Sequence, residues 1–107
     1  MQRGEVWLVN VDDSIGKEAP TCRPAVILSV NALNRARGTV VVVPLSASAQ
    51  SRPPIAIALP SARLDAVAVC DQLCAADKKR FKKKVCDLSG RDLAALTDAT
   101  KTVLGLG

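Results

Sequence analysis

The sequence predicts an α+β fold, a compact and strongly bent β-sheet or small barrel closed by a C-terminal helix. Three observations carry that expectation. Apolar runs rich in β-branched residues and punctuated by Gly and Pro fill the first two-thirds of the chain, above all residues 39–45 (TVVVVPL). The apolar period then lengthens from two to that of a helix at Leu93, Leu96, Thr100, Val103 and Leu104. No repeat, Gly/Ser linker or low-complexity tract divides the 107 residues, so residues 1–107 are expected to form one domain.

Each element follows in order. Residues 5–11 alternate loosely around Trp7 and read as a first strand. Residues 12–21 (DDSIGKEAPT) carry Gly16 and Pro20 and read as a polar connection. Residues 24–29 (PAVILS) form a second strand, with the proline tolerated at a strand start or edge. Residues 30–38 are irregular, with room for a short helical turn in NALNRARG. Residues 39–45 are apolar on both faces, which places that strand centrally. Residues 46–54 form a loop rich in Ser, Arg and Pro. Residues 55–59 and 66–70 read as two further strands about a turn at 60–65. Residues 77–81 suit a short helix capped by Asp77. Ser89 with Asp92 three residues later resembles a capping box, and the helix it opens ends at Gly105.

Composition limits function. Hydrophobic residues make up 49% and charged residues 23%, a globular balance. Aromatics are 2%, Trp7 and Phe81 without any Tyr, so a base-stacking platform of aromatic rings cannot be built. The chain has no histidine, which excludes every mechanism that uses an imidazole. Fifteen Lys+Arg against ten Asp+Glu leave a charge of +5, which favours an anionic partner, with plain solubility as the alternative. Cys22, Cys70, Cys74 and Cys86 include C-x3-C but no C-x-x-C, so no metal site is expected and packing roles are. No signal-peptide pattern occurs and no apolar run nears the roughly 20 residues that span a bilayer, so a reduced, cytoplasmic protein is expected.

Three polar positions adjoin apolar strands. Arg23 opens one, Ser46 ends one, and Asp71 with Gln72 ends another. Strand ends can converge on a shared groove. Together these groups suit attack on a phosphodiester. A carboxylate takes the proton of a ribose 2′-hydroxyl, an arginine neutralises charge building on phosphorus, and a hydroxyl orients the phosphate. Plainer roles exist for each: a surface arginine before a proline, a serine that begins a turn, an aspartate paired with a lysine.

The surrounding sequence resembles the MazF/PemK (Kid) family of toxin endoribonucleases. Arg3-Gly4-Glu5-Val6-Trp7, Gly16-Lys17-Glu18, Arg23-Pro24-Ala25-Val26, the β-branched run into Pro44-Leu45-Ser46, and Asp71-Gln72 occur in the family's order and spacing. The resemblance implies an SH3-like, CcdB-type barrel assembled as a homodimer. It also implies a cofactor-free, metal-independent ribonuclease that cuts single-stranded mRNA at a short motif and is inhibited by an acidic MazE-like antitoxin. Residue by residue, it places catalysis on Arg23, Ser46 and Asp71, with Glu18 as a second candidate base. Lys17, Glu18, Ser48, Gln72 and Lys79 are the expected substrate contacts. Arginine, with a pKa above about 12, serves first as an electrostatic stabiliser. The chain departs from the PemK branch at Lys17 (histidine there), Val69 (arginine) and Cys74 (arginine in many members). These changes bear on rate and sequence specificity more than on fold.

The basic run at residues 78–84 (KKRFKKK) fits an RNA-backbone contact, a solvated face, or a receiver for an acidic antitoxin tail. Cys74, flanked by Asp71 and Asp77, reads as a packing residue, and Trp7 as a core or dimer contact. Two other functions fit a basic barrel of this kind: a non-catalytic, CcdB-like gyrase poison and a nucleic-acid-binding module that does not cut.

Overall fold

Why a central β-branched run should organise the molecule is clear from its pairing on both sides. The computed structural model describes residues 1–10 and 22–107. Among these, β1 (Glu5–Asn10), β2 (Cys22–Ile27), β3 (Thr39–Ser46), β4 (Ala56–Ala58), β5 (Val67–Val69), β6 (Cys74–Asp77) and β7 (Phe81–Asp87) pair antiparallel. The helices are α1 (Asn31–Ala36) and α2 (Gly90–Val103). The strand order is β4-β5-β3-β2-β1-β7, with β6 also on β3. Strand β3 therefore meets β2 along one side and β5 then β6 along the other.

Alternation along the strands sorts side chains onto two cores. Val6, Val26, Val43 and Leu45 face one side, where they pack with Leu96 and Ala99 of α2. Val9, Ala25, Ile27, Val40 and Val42 face the other, together with Phe81. Val40, Val42 and Val43 are all buried, as an apolar strand with both faces covered requires. The Phe81 ring meets Trp7 edge-on at 5.9 Å, which makes Trp7 a core contact.

Helix α2 starts and stops as its sequence predicts. Ser89 Oγ accepts the Asp92 N–H at 3.1 Å. The reciprocal half of the capping box is relayed through Ser61, whose hydroxyl accepts the Ser89 N–H at 3.0 Å and donates to Asp92 Oδ2. At the other end Gly105 has φ +72°, and the Leu106 N–H bonds Lys101 O at 2.8 Å while the Gly105 N–H bonds Thr102 O at 3.1 Å, a Schellman stop. Arg3 ties the helix to the sheet by donating to Leu28 O and, at 2.6 Å, to Thr97 Oγ1. Gly4 has φ +91°, and a Cβ there would come 3.2 Å from Leu93 Cδ2, so helix approach and backbone both need glycine.

Several boundaries differ from expectation. Strand β2 begins at Cys22, so Pro24 lies inside it. Pro24 pairs with Leu8 of β1, whereas pairing to β3 starts only at Ala25, so the proline sits where that side of the strand is open. β4 and β5 are shorter than the expected strands, and the turn between them holds a 3-10 helix, Pro60–Ala62. The 77–81 helix is a 3-10 turn, Lys78–Arg80, capped by Asp77 Oδ1 accepting the Lys79 N–H at 2.9 Å. β6 and β7 were not anticipated. β6 is four residues long without a β-branched side chain, and in β7 consecutive lysines hide the period of two, which two β-bulges against β1 break further. Val11, the expected end of the first strand, and the connection at 12–21 lie outside the described residues.

Candidate active site

The site begins with register. Ala25 of β2 lies opposite Pro44 of β3. Continued two residues outward, that register sets Arg23 opposite Ser46 on the same face. The ladder ends at Ala25, so the strands part there. A cleft of about 590 Å³ opens between them, with Arg23, Ser46, Ser48 and Asp65 on its walls and Leu64 beside them.

Ser46 carries both of its readings at once. Its Oγ accepts the N–H groups of Ser48 (3.3 Å) and Ala49 (3.2 Å), so it does begin a turn. With backbone donors on the oxygen, the hydroxyl proton is the part left to donate, to Ser48 Oγ at 3.2 Å or to an anion in the cleft. Ser48 is held beside it by the same turn. Arg23 is exposed, its guanidinium available to an oxyanion.

Asp71 and Gln72 are placed differently. Between Ala68, opposite Leu45, and Cys74, opposite Val42, one strand takes six steps while the other takes three. The surplus forms a 3-10 turn, Cys70–Gln72, which packs against α2, β3 and β4 and leaves Asp71 and Gln72 exposed. Neither is among the residues lining the Arg23–Ser46 cleft. Asp65 is the described carboxylate that lines it, and sequence reasoning passed over it because an aspartate in a Pro-containing turn reads as a turn former. Lys17 and Glu18 lie outside the described residues.

A second cavity, about 300 Å³, lies on the other side of Arg23 and Pro24 and reaches Arg80 of the Lys78–Arg80 turn. Lys79 is exposed on that turn. The basic run is not one surface. Phe81 is buried, Arg80 Nη1 donates to Asn10 O at 3.4 Å, and Lys84 Nζ pairs with Asp87 (3.1 Å) and Glu5 (3.4 Å). Lys79, Lys82 and Lys83 are exposed.

Glu5 is buried where β1 meets β7. Burial pushes its carboxyl up, but Trp7 Nε1 (2.8 Å), the Gln2 N–H (3.1 Å) and Lys84 outweigh that and hold it below the ordinary value. Burial pushes the Cys70 and Cys86 thiols up, aided at Cys70 by Asp71, so both remain protonated packing groups. Cys74 departs from its expected packing role and is exposed, on a strand that among the described residues has only β3 beside it. Among the described residues no three His, Cys, Asp or Glu side chains gather as a metal site, and no helix is long and apolar enough to cross a membrane.

Known proteins give this geometry a context. Endoribonuclease MazF9 of Mycobacterium tuberculosis is 30% identical over 99% of this chain and 98% of its own length. Endoribonuclease MazF of Staphylococcus saprophyticus is 27% identical over 99% and 92%. A mycobacterial endoribonuclease solved with its cognate antitoxin superposes with a TM-score of 0.85 at 24% identity, covering 100% of this chain and 97% of that one. MazF in a MazE–MazF crystal structure from Deinococcus radiodurans does so at 0.84 and 22%, covering 100% and 98%. Residues 2–104 match the model of the PemK-like, MazF-like toxins of type II toxin–antitoxin systems, and the chain belongs to that family.

Proposed function

We propose that the protein is a metal-independent endoribonuclease toxin, an mRNA interferase that cuts single-stranded RNA at a short motif in the cytoplasm. It works as a homodimer and is neutralised by an acidic MazE-like antitoxin. The observation that carries this reading is the meeting of Arg23 and Ser46 in one cleft, in a chain of the PemK/MazF family. The full-length relatives are endoribonucleases by name, and a solved relative carries its antitoxin. None of these favours the gyrase-poison alternative.

The chemistry needs only side chains. A carboxylate removes the 2′-hydroxyl proton, the 2′-oxygen bonds to phosphorus, and the bond to the 5′-oxygen breaks. A 2′,3′-cyclic phosphate and a 5′-hydroxyl remain, the leaving oxygen taking its proton from water. Arg23 stabilises the added negative charge, and Ser46 donates to a non-bridging oxygen, held in place by its own turn. Two described carboxylates compete for the base: Asp71, by resemblance, and Asp65, by its position in the cleft.

The test is cleavage of a long defined RNA by purified protein in EDTA. Discrete cuts at one recurring motif, lost in Arg23→Ala, are expected. Intact RNA from folded protein overturns the reading. Asp65→Asn and Asp71→Asn, compared by pH–rate profile, assign the base, since the true one loses its acidic limb.

A further inference from the structure

We infer that the cavity on the far side of Arg23 is a nucleobase subsite, which takes one base of the RNA strand next to the phosphate held in the Arg23–Ser46 cleft. The inference rests on the ribonuclease reading above and names where that site reads sequence.

Size and lining point to a base. At about 300 Å³ the cavity is at the small end of ligand sites, room for one ring system. Val9, Ala25, Val42 and Pro44 give it an apolar floor. Four consecutive residues of β6, Cys74–Asp77, form one wall. Successive strand residues point to opposite faces, so backbone as well as side-chain atoms of β6 must border the space. Among the described residues β6 pairs with β3 alone, so its other side offers N–H and C=O groups of the kind that read a base edge.

Charge and position narrow the occupant. Arg23 is exposed at the cavity, where its guanidinium plane can lie over a base or meet a phosphate, and Arg80, bonded to Asn10 O, adds a second positive charge to the lining. Asp77 shares the lining, with Oδ1 taking the Lys79 N–H, and its charge disfavours a phosphate inside. A neutral base with its phosphates outside satisfies both signs. Arg23 and Pro24 line this cavity and the cleft alike, so a strand crossing them places adjacent nucleotides in the two spaces. With no tyrosine in the chain, and with Trp7 and Phe81 turned to each other, an aliphatic floor replaces the usual ring stack.

Cys74 supplies the test. It is exposed, opposite Val42 in the ladder, and lines the cavity with it but not the Arg23–Ser46 cleft, so Cys74→Leu fills the space from the β6 wall while Arg23, Ser46 and both candidate bases keep their own side chains. Cys74→Ser is the size-matched control. Binding is measured by anisotropy with non-cleavable 2′-fluoro oligonucleotides that differ at one position, and cut sites are mapped on the long RNA in parallel. Wild type and Cys74→Ser should prefer one base at one position by about tenfold or more. Cys74→Leu should lose that preference at that position only, with an unchanged melting temperature. Equal binding of all four bases by wild type overturns the proposal, as does a preference that survives Cys74→Leu. A Cys74→Leu protein that keeps base preference but escapes antitoxin inhibition also overturns it, making the cavity a protein contact. Because binding is read without cleavage, an enzyme that cuts nothing defeats the ribonuclease reading and leaves the subsite to be judged on binding.

Discussion

The two faces of the sheet are made from alternate residues of the same strands, yet they serve opposite ends. Val26 and Val43 turn toward α2, and with Val6 and Leu96 they are fully buried. Their neighbours Ala25 and Pro44 turn the other way, in line with Arg23 and Ser46, toward a face that opens into two cavities. A period of two thus lets one strand provide cohesion with one set of side chains and chemistry with the other. Substitutions should divide by parity along the strand more than by distance in sequence.

The largest expected effect tests that division from the chemical side. Arg23→Ala should lower the cleavage rate by about 10²–10³-fold, the usual cost of one oxyanion-stabilising donor, while differential scanning calorimetry finds the melting temperature almost unmoved. A large fall in stability would make the arginine structural. From the other side, Leu96→Ala should cost about 2–5 kcal/mol in urea unfolding, for the lost burial and the cavity left behind, with cleavage per folded molecule retained. Asp92→Ala sits between the two faces. It removes the acceptor of the Ser61 N–H (2.8 Å) and hydroxyl and opens the relay to Ser89, at about 1–2 kcal/mol. Since Ser61 lies just before residues 64–66, which border the cleft, a raised KM should accompany the loss of stability.

Two smaller effects concern β7 and the turn that precedes it. The Glu5 carboxyl is held below its ordinary value, so the folded state favours its charged form. That stability is complete above the unfolded pKa, about 4.3, and is lost as pH falls through the lower folded value. The gap in melting temperature between wild type and Glu5→Gln should therefore shrink with acidification below about pH 4; a gap independent of pH would remove the ion pair from the account. Replacing Lys79, Lys82 and Lys83 with Gln should flatten the salt dependence of RNA binding by roughly two units of log–log slope if all three meet phosphates. Lys84→Gln should leave that slope alone, because its ammonium already serves Asp87 and Glu5.

How far residues alone foretold this structure depended on how local each signal was. The β3 run, the Ser89 cap and the Gly105 stop are properties of adjacent residues, and all three formed as read. β6 and β7 escaped because their partners lie far along the chain, and because the lysines whose charge protects β7 as an edge strand also conceal its pattern. Arg23 and Ser46 could be nominated as strand ends, but only the Ala25–Pro44 register explains why they meet. Asp65 could not be nominated, since nothing in a turn sequence says which wall the turn will form.

The three surplus residues between β5 and β6 have a consequence for how such a protein can change. Register against β3 is intact on either side of them, so they behave as a cassette set into a finished ladder. Cys70 anchors that turn in the core, so exchange is confined to the two exposed positions after it, where a change re-pairs no strand. With Asp65 as the base, the Asp71–Gln72 surface becomes a place where sequence can diversify at little cost to folding, because both side chains lie outside the core that holds Cys70.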